Sequence, residues 1–173
     1  MTNVFIKEFI KQSVYRIWEN TQKIIKCLDE IDDLEIWKSP NDNSNSIGNI
    51  ILHLCGNIRQ YAISALSATK DARERDKEFS AKGGHTKSGL LNELTDTVSE
   101  AAGVIKNIDE NGLTRIYSVQ GSDLSGIGII IHVTEHYSYH TGQIVFWIKQ
   151  IRDKDLEFYA NINLNLKNKN DKQ

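Results

Sequence analysis

Three of the chain's five histidines stand at steps of four in His132-Val-Thr-Glu-His136-Tyr-Ser-Tyr-His140-Thr-Gly-Gln143. An α-helix turns about 100° and rises about 1.5 Å per residue, so a step of four keeps side chains on one face. Neutral imidazole is the commonest protein metal ligand, and two on successive turns reach one ion. The same stripe also reads as a partly buried polar face whose histidines are merely hydrogen-bonded. The elements around it must decide between the two.

The stretch lies in a helix expected over roughly residues 124–152, opened by a cap from Ser122 or Asp123 and short of charge, with Glu135, Lys149 and Arg152 its main ionic residues. His132, His136, Tyr139, His140 and Gln143 share one face, while Ile127, Ile130, Ile131, Tyr137, Ile144, Val145, Ile148 and Ile151 supply apolar surface elsewhere. An earlier helix, capped by Ser44 or Ser46 and running to about Ala68, contains a single charged residue, Arg59, so it reads as central. Ile47, Ile50, Ile51, Leu54, Ile58, Tyr61 and Ala65 form its apolar arc. Asn49, His53, Asn57, Gln60 and Ser64 form a polar but uncharged column, with His53 in its middle, and such a column fits a cleft better than a solvated face.

Two further amphipathic helices complete the pattern. One covers roughly residues 3–31, with apolar positions from Val4 to Ile31; the other covers 88–108, with the stripe Leu90, Leu91, Leu94, Val98, Ala101 and Ile105. Connections fall at 37–46, 69–87 and 109–123. The expectation is an all-α, four-helix bundle with long crossover connections, a single domain over residues 1–160 and a polar C-terminal tail over 161–173. Leu156, Phe158 and Tyr159 are expected to dock back on it. Facing helices are where bundles build metal sites, and the second and fourth helices read as the neutral, central pair, each carrying histidine in a neutral polar column.

The bulk properties narrow the function classes. A chain of 173 residues with 39% hydrophobic and 25% charged residues is ordinary for a globular domain. A formal net charge of −2 leaves no basic field to recruit nucleic acid or anionic membrane. Cys27 and Cys55 form no CxxC pair and suit a reducing compartment. Charge comes too early at the N-terminus for a signal peptide, and no apolar run nears the roughly 18 residues of a membrane span, so a cytoplasmic location is expected.

The segments Ser46-Ile-Gly-Asn-Ile-Ile-Leu-His53-Leu-Cys-Gly-Asn-Ile-Arg-Gln60 and His132-Val-Thr-Glu-His136-Tyr-Ser-Tyr-His140-Thr-Gly-Gln143 resemble the second and fourth helices of the DinB/YfiT-like superfamily, and Arg73-Glu-Arg75-Asp76-Lys-Glu78-Phe79 resembles an element of one uncharacterised subgroup. The resemblance covers nearly the whole chain in order. It implies a four-helix bundle holding a divalent metal, commonly zinc or nickel, on three histidines, which here would be His53, His136 and His140. It further implies either a metal-dependent hydrolase or transfer of a low-molecular-weight thiol of the bacillithiol or mycothiol type. Three neutral imidazoles leave open positions, where an ion activates water or binds and deprotonates a thiol. The ligand set does not choose between these two chemistries. A third possibility is a non-catalytic, dimeric metal-binding module.

His132-Val-Thr-Glu135-His136 also matches the H-x-x-E-H pattern of inverzincin proteases, with Glu135 as base. That assignment leaves His53 and His140 unused, and it sets Glu135 about 100° around the helix from its neighbour. His132 is otherwise expected to support a ligand or sit in the core. Gln143 and Tyr139 are candidate catalytic residues, Gln143 to orient a ligand or touch substrate and Tyr139 as a proton donor at the cleft. Arg73, Arg75 and Asn57 are candidate substrate-binding residues, although the charge run that holds the two arginines reads first as a solvated face. His85 is expected to be solvated and Cys55 to be a core cysteine. A small-molecule substrate and a homodimer, formed through an exposed apolar part of the first or third helix, complete the expectations.

Overall fold

The protein is described by a computed structural model over residues 3–167. Its long helices are α1 (Val4–Leu28), α2 (Ile47–Ile58), α4 (Lys87–Asn107) and α6 (Gly126–Arg152); between them lie α3 (Arg75–Ser80), α5 (Glu110–Thr114) and the antiparallel strands β1 (Ile116–Val119) and β2 (Ser122–Ser125). Each long helix starts at a side chain that satisfies a free backbone N–H. Asn3 caps α1, Thr86 caps α4 and Ser125 caps α6. At α2 the cap is reciprocal: Ser46 Oγ accepts from Asn49 N at 3.1 Å, and Asn49 Oδ1 accepts from Ser46 N at 3.2 Å.

The four long helices form a ring. α1 packs against α4 and α6, and α2 packs against the same two, so α1 and α2 occupy opposite corners. Their facing stripes, with Ile17, Ile24, Ile51, Leu54, Leu94, Ile105, Ile130 and Ile144, make one hydrophobic cluster. No helix among the described residues is long and apolar enough to cross a membrane.

Several sequence expectations change. The connection expected over 109–123 contains α5 and a β-hairpin, and Ser122 and Asp123 lie in β2 rather than capping α6. The hairpin turns at Gln120 and Gly121, both at positive φ (50° and 76°), the pattern of a tight two-residue turn whose twist matches its strands. The second helix does not run as a uniform α-helix, because residues Arg59–Ala65 widen into a π-helix. That register change lets three consecutive residues, Tyr61, Ala62 and Ile63, all be buried. Low charge does not make α6 central: Ile131, Tyr139 and Phe146 on it are exposed, whereas α2 is buried along most of its length. Leu156 docks back and is 1% exposed, Phe158 packs against the same core, and Tyr159 stays 43% exposed with Lys23 over its ring. Of the expected tail, residues 161–167 are exposed and 168–173 lie outside the described residues.

A buried hydrogen bond fixes α6 on α1. Thr21 Oγ1 gives its one proton to Ile17 O at 2.9 Å, so Tyr137 is the donor in the 2.9 Å contact between its hydroxyl and Thr21 Oγ1. Tyr137 is fully buried. Tyr137→Phe should lower stability by about 1 kcal/mol, the net worth of such a bond. Urea unfolding should show a lower midpoint with an unchanged slope.

Candidate metal centre

His53 projects from the middle of α2, and His136 and His140 project from successive turns of α6. Their ring nitrogens, one from each residue, lie within 4.8 Å of one another, and this is a group that could hold a metal ion. His53 Nε2 and His136 Nε2 are 3.1 Å apart. Two nitrogens bound at about 2.0–2.1 Å to one tetrahedral ion would stand about 3.3 Å apart, so the spacing suits a shared cation. The His53 ring meets those of His136 and His140 at 4.9 and 5.0 Å between centroids, both edge-on.

The donor atoms are set by what the other ring nitrogens touch. His53 Nδ1 lies 2.9 Å from Glu78 Oε2. An ionised carboxylate only accepts, so Nδ1 carries the proton and Nε2 keeps its lone pair. Arg73 Nη2 is also 3.1 Å from Nδ1, but its proton goes to Glu78 Oε2 at 2.8 Å. At the other end of the site, His140 Nδ1 donates to Gln143 Oε1 at 2.6 Å, leaving its Nε2 free. Gln143 Nε2 in turn donates to the Tyr139 hydroxyl at 3.2 Å. Burial pushes the His136 pKa down to about 3, with help from His140 and His53. Burial likewise lowers that of His140, against the bond from Gln143. Neutral imidazoles are what a cation requires.

The residues 69–82, expected as a solvated connection, fold across α2 instead. Arg73 is only 4% exposed at its side chain and grips Glu78 with Nε to Oε1 at 2.7 Å and Nη2 to Oε2. Burial alone would raise the Glu78 pKa; the hydrogen bonds from Arg73 and His53 outweigh it and leave the pKa below the ordinary value. Arg73 Nη1 donates to Gln60 Oε1 at 2.9 Å, and Asn49 Nδ2 donates to the backbone carbonyls of Glu78 and Ala81 at 2.8 and 2.9 Å. Gly56 makes room for this. A Cβ there would stand 2.0 Å from Glu78 Oε1.

The remaining candidates sit around this centre. The guanidinium of Arg75, an exposed residue, lies over the Phe79 ring at 4.7 Å, and Phe79 packs on His53 at 4.8 Å. Asn57 is buried: Nδ2 donates to His132 Nε2 at 3.3 Å, and Oδ1 has no protein partner. His132 stacks on Tyr61 at 4.2 Å and stays outside the three-histidine group. Glu135 is exposed and lines a groove with Arg16 and Glu19 of α1, so the H-x-x-E-H residues do not converge. The centre is not sunk in a deep cleft: Tyr139 is 63% exposed at its rim.

A family model described as "Protein of unknown function (DUF1572)" matches residues 4–163. The chain belongs to that family. Among solved structures it is similar to the DinB-like protein YjoA from Bacillus subtilis, at 16% identity and a TM-score of 0.66, covering 86% of this chain and 97% of that one. A DinB-like protein from Bacillus cereus matches at 14% identity and 0.65, covering 83% and 90%. A conserved protein from Enterococcus faecalis matches at 15% identity and 0.64, covering 89% and 99%. These likenesses show that this DUF1572 chain has the DinB-like fold. No curated protein matches it.

Sequence reasoning missed Glu78 as a partner of His53. Within a run of charges nothing marked it out, and no local pattern ties it to Gly56, the residue that admits it. The metal-free centre should also carry a pH signature. His136 titrates near 6.5 when unfolded and about 3 when folded, so on acidification the unfolded chain takes up the proton first. Its contribution to stability is complete above the unfolded pKa and is lost as pH falls through the folded one. In the metal-free parent this group should make stability fall as the pH is lowered across that window. Denaturation of His136→Gln at several pH values should show a flatter dependence.

Proposed function

We propose that the protein is a metal-dependent enzyme acting on a small molecule, with a divalent ion, zinc or nickel, held by His53, His136 and His140. The observation that carries this reading is the convergence of three imidazoles, two of them with Nδ1–H engaged by Glu78 or Gln143 so that Nε2 is left as a donor. When bound, such an ion supplies Lewis acidity with open coordination positions, the pattern of catalytic rather than structural sites. Hydrolysis of an ester or amide is the first reading. Glu78 and Gln143 orient their histidines, and the Tyr139 hydroxyl at the exposed rim is placed to give or take a proton. Asn57 and Arg75 lie to either side as substrate contacts, whereas Arg73 is committed to Glu78.

Thiol-dependent transfer is the alternative, and the cysteines specify its form. Cys27 and Cys55 are buried and burial pushes both pKa values up to about 12, so neither is a usable thiolate. The thiol of such a reaction would be a diffusible low-molecular-weight one. Nucleic acid is disfavoured by the net charge of −2. A homodimer through α1 is in keeping with its exposed Val4, Phe5 and Tyr15; in the non-catalytic alternative the metal would serve such a dimer alone.

Elemental analysis of the purified protein tests the reading. Near-stoichiometric divalent metal is expected in the parent and in His132→Ala, with loss in His53→Ala, His136→Ala and His140→Ala. Loss in His132→Ala with retention in His140→Ala would favour the H-x-x-E-H ligands instead. A parent that takes up no zinc or nickel on loading would end the metal reading. In the metal-loaded parent, ester or amide turnover without added thiol supports the hydrolase, and turnover only with a small thiol supports the transferase.

A further inference from the structure

Across residues 69–82 the buried side chains are a charged pair, Arg73 and Glu78. Apolar anchoring is slight: Phe79 and Ala81 are partly buried, and outside the Arg73–Glu78 pair the remaining residues of the segment are exposed. The segment therefore belongs to the part of the molecule that opens locally at low cost. What holds it closed is polar. Asn49 holds its backbone, Gln60 holds Arg73, and Glu78 reaches through the gap at Gly56 to His53.

We infer that this segment is a strap whose closure over α2 and the occupancy of the three-histidine centre form one linked equilibrium, with Glu78 as the link. The inference rests on the metal reading above. A cation on His53 Nε2 polarises the ring and strengthens the Nδ1–H bond to Glu78, which favours the closed strap. The closed strap in turn brings an ionised carboxylate behind the ligand, which fixes its tautomer and favours the cation. Linkage makes the two effects equal in size. Arg73 keeps Glu78 ionised in its buried position. A strap opened at Glu78 frees His53 to turn, so the strap controls how firmly the ion is retained.

The strap carries its own probe in the trypsin sites Lys70, Arg73, Arg75, Lys77 and Lys82. Cleavage there should be timed with and without zinc or nickel in the parent, in Glu78→Gln and in Glu74→Gln, with the exposed Lys167 as internal reference. Glu74 pairs with Lys77 at the surface, its one ion pair among the described residues, and serves as a charge-matched control. In the parent and in Glu74→Gln, metal should slow strap cleavage roughly tenfold while leaving Lys167 unchanged. Glu78→Gln should bind metal about 10–100-fold more weakly and lose that protection even when saturated. Circular dichroism checks that the variants are folded; should Glu78→Gln be unfolded, Gly56→Ala, which crowds Glu78 out of its gap, takes its place with the same expectations. Metal-loaded parent with unprotected strap, or a folded Glu78→Gln with parental affinity and protection, would overturn the inference and leave the metal reading standing. A parent that binds no metal would overturn both.

Discussion

An ionised carboxylate sealed against a helix needs every one of its oxygens satisfied, and Glu78 imposes that requirement on all the elements around the centre. Arg73 supplies two parallel hydrogen bonds, and His53 supplies a third. Gln60, one turn beyond Asn57 on the same helix, holds the guanidinium in place. Asn49 both caps α2 and holds the backbone that bears Glu78. Residues spread along α2 thus serve one buried charge, which explains why that helix keeps neutral amides where a solvated helix would carry Lys or Glu.

The second requirement is that α6 face α2 at a fixed height, because His136 and His140 reach His53 only in one register. Packing on α1 sets that height, with the fully buried Tyr137 bonded to Thr21. Tyr137 follows His136 in sequence, so the residue that anchors the helix and the residue that faces His53 leave it about 100° apart. A shift that loosened one would displace the other. The π-helical turn of Arg59–Ala65 contributes on the opposite side by stacking Tyr61 on His132. His132 thereby packs behind His136, at 5.5 Å between ring centroids, instead of joining the group.

Much of this was legible in the sequence, for a physical reason. Apolar periodicity reports burial directly, so the four long helices were readable to within a few residues, and charge depletion marked α2 as buried. The neutral columns on α2 and α6 pointed to the two faces that meet. Charge depletion misled at α6, where exposed Ile131, Tyr139 and Phe146 look the same in sequence as buried residues. The hairpin of β1 and β2 is too short to show an alternating pattern. The strap was unreadable because its role depends on a long-range partner: Arg73-Glu-Arg-Asp-Lys-Glu78 has the composition of a solvated surface, and only the gap above Gly56 turns its last carboxylate inward.

The supports of the three histidines are unequal, and this gives the centre a direction. His53 is held from within by a buried ion pair, while His140 is held by Gln143, an exposed amide that also touches an exposed tyrosine. His136 stands between the two, and its charge is suppressed by burial first and by repulsion from the neighbouring histidines second. His53 is therefore the preorganised histidine, and His140 is the one whose ring adapts most easily. A molecule approaching the centre meets His140, Gln143 and Tyr139 before it meets His53. Under the metal reading, chemistry would be done at the α6 rim, with His53 and the Arg73–Glu78 pair forming the fixed side of the site.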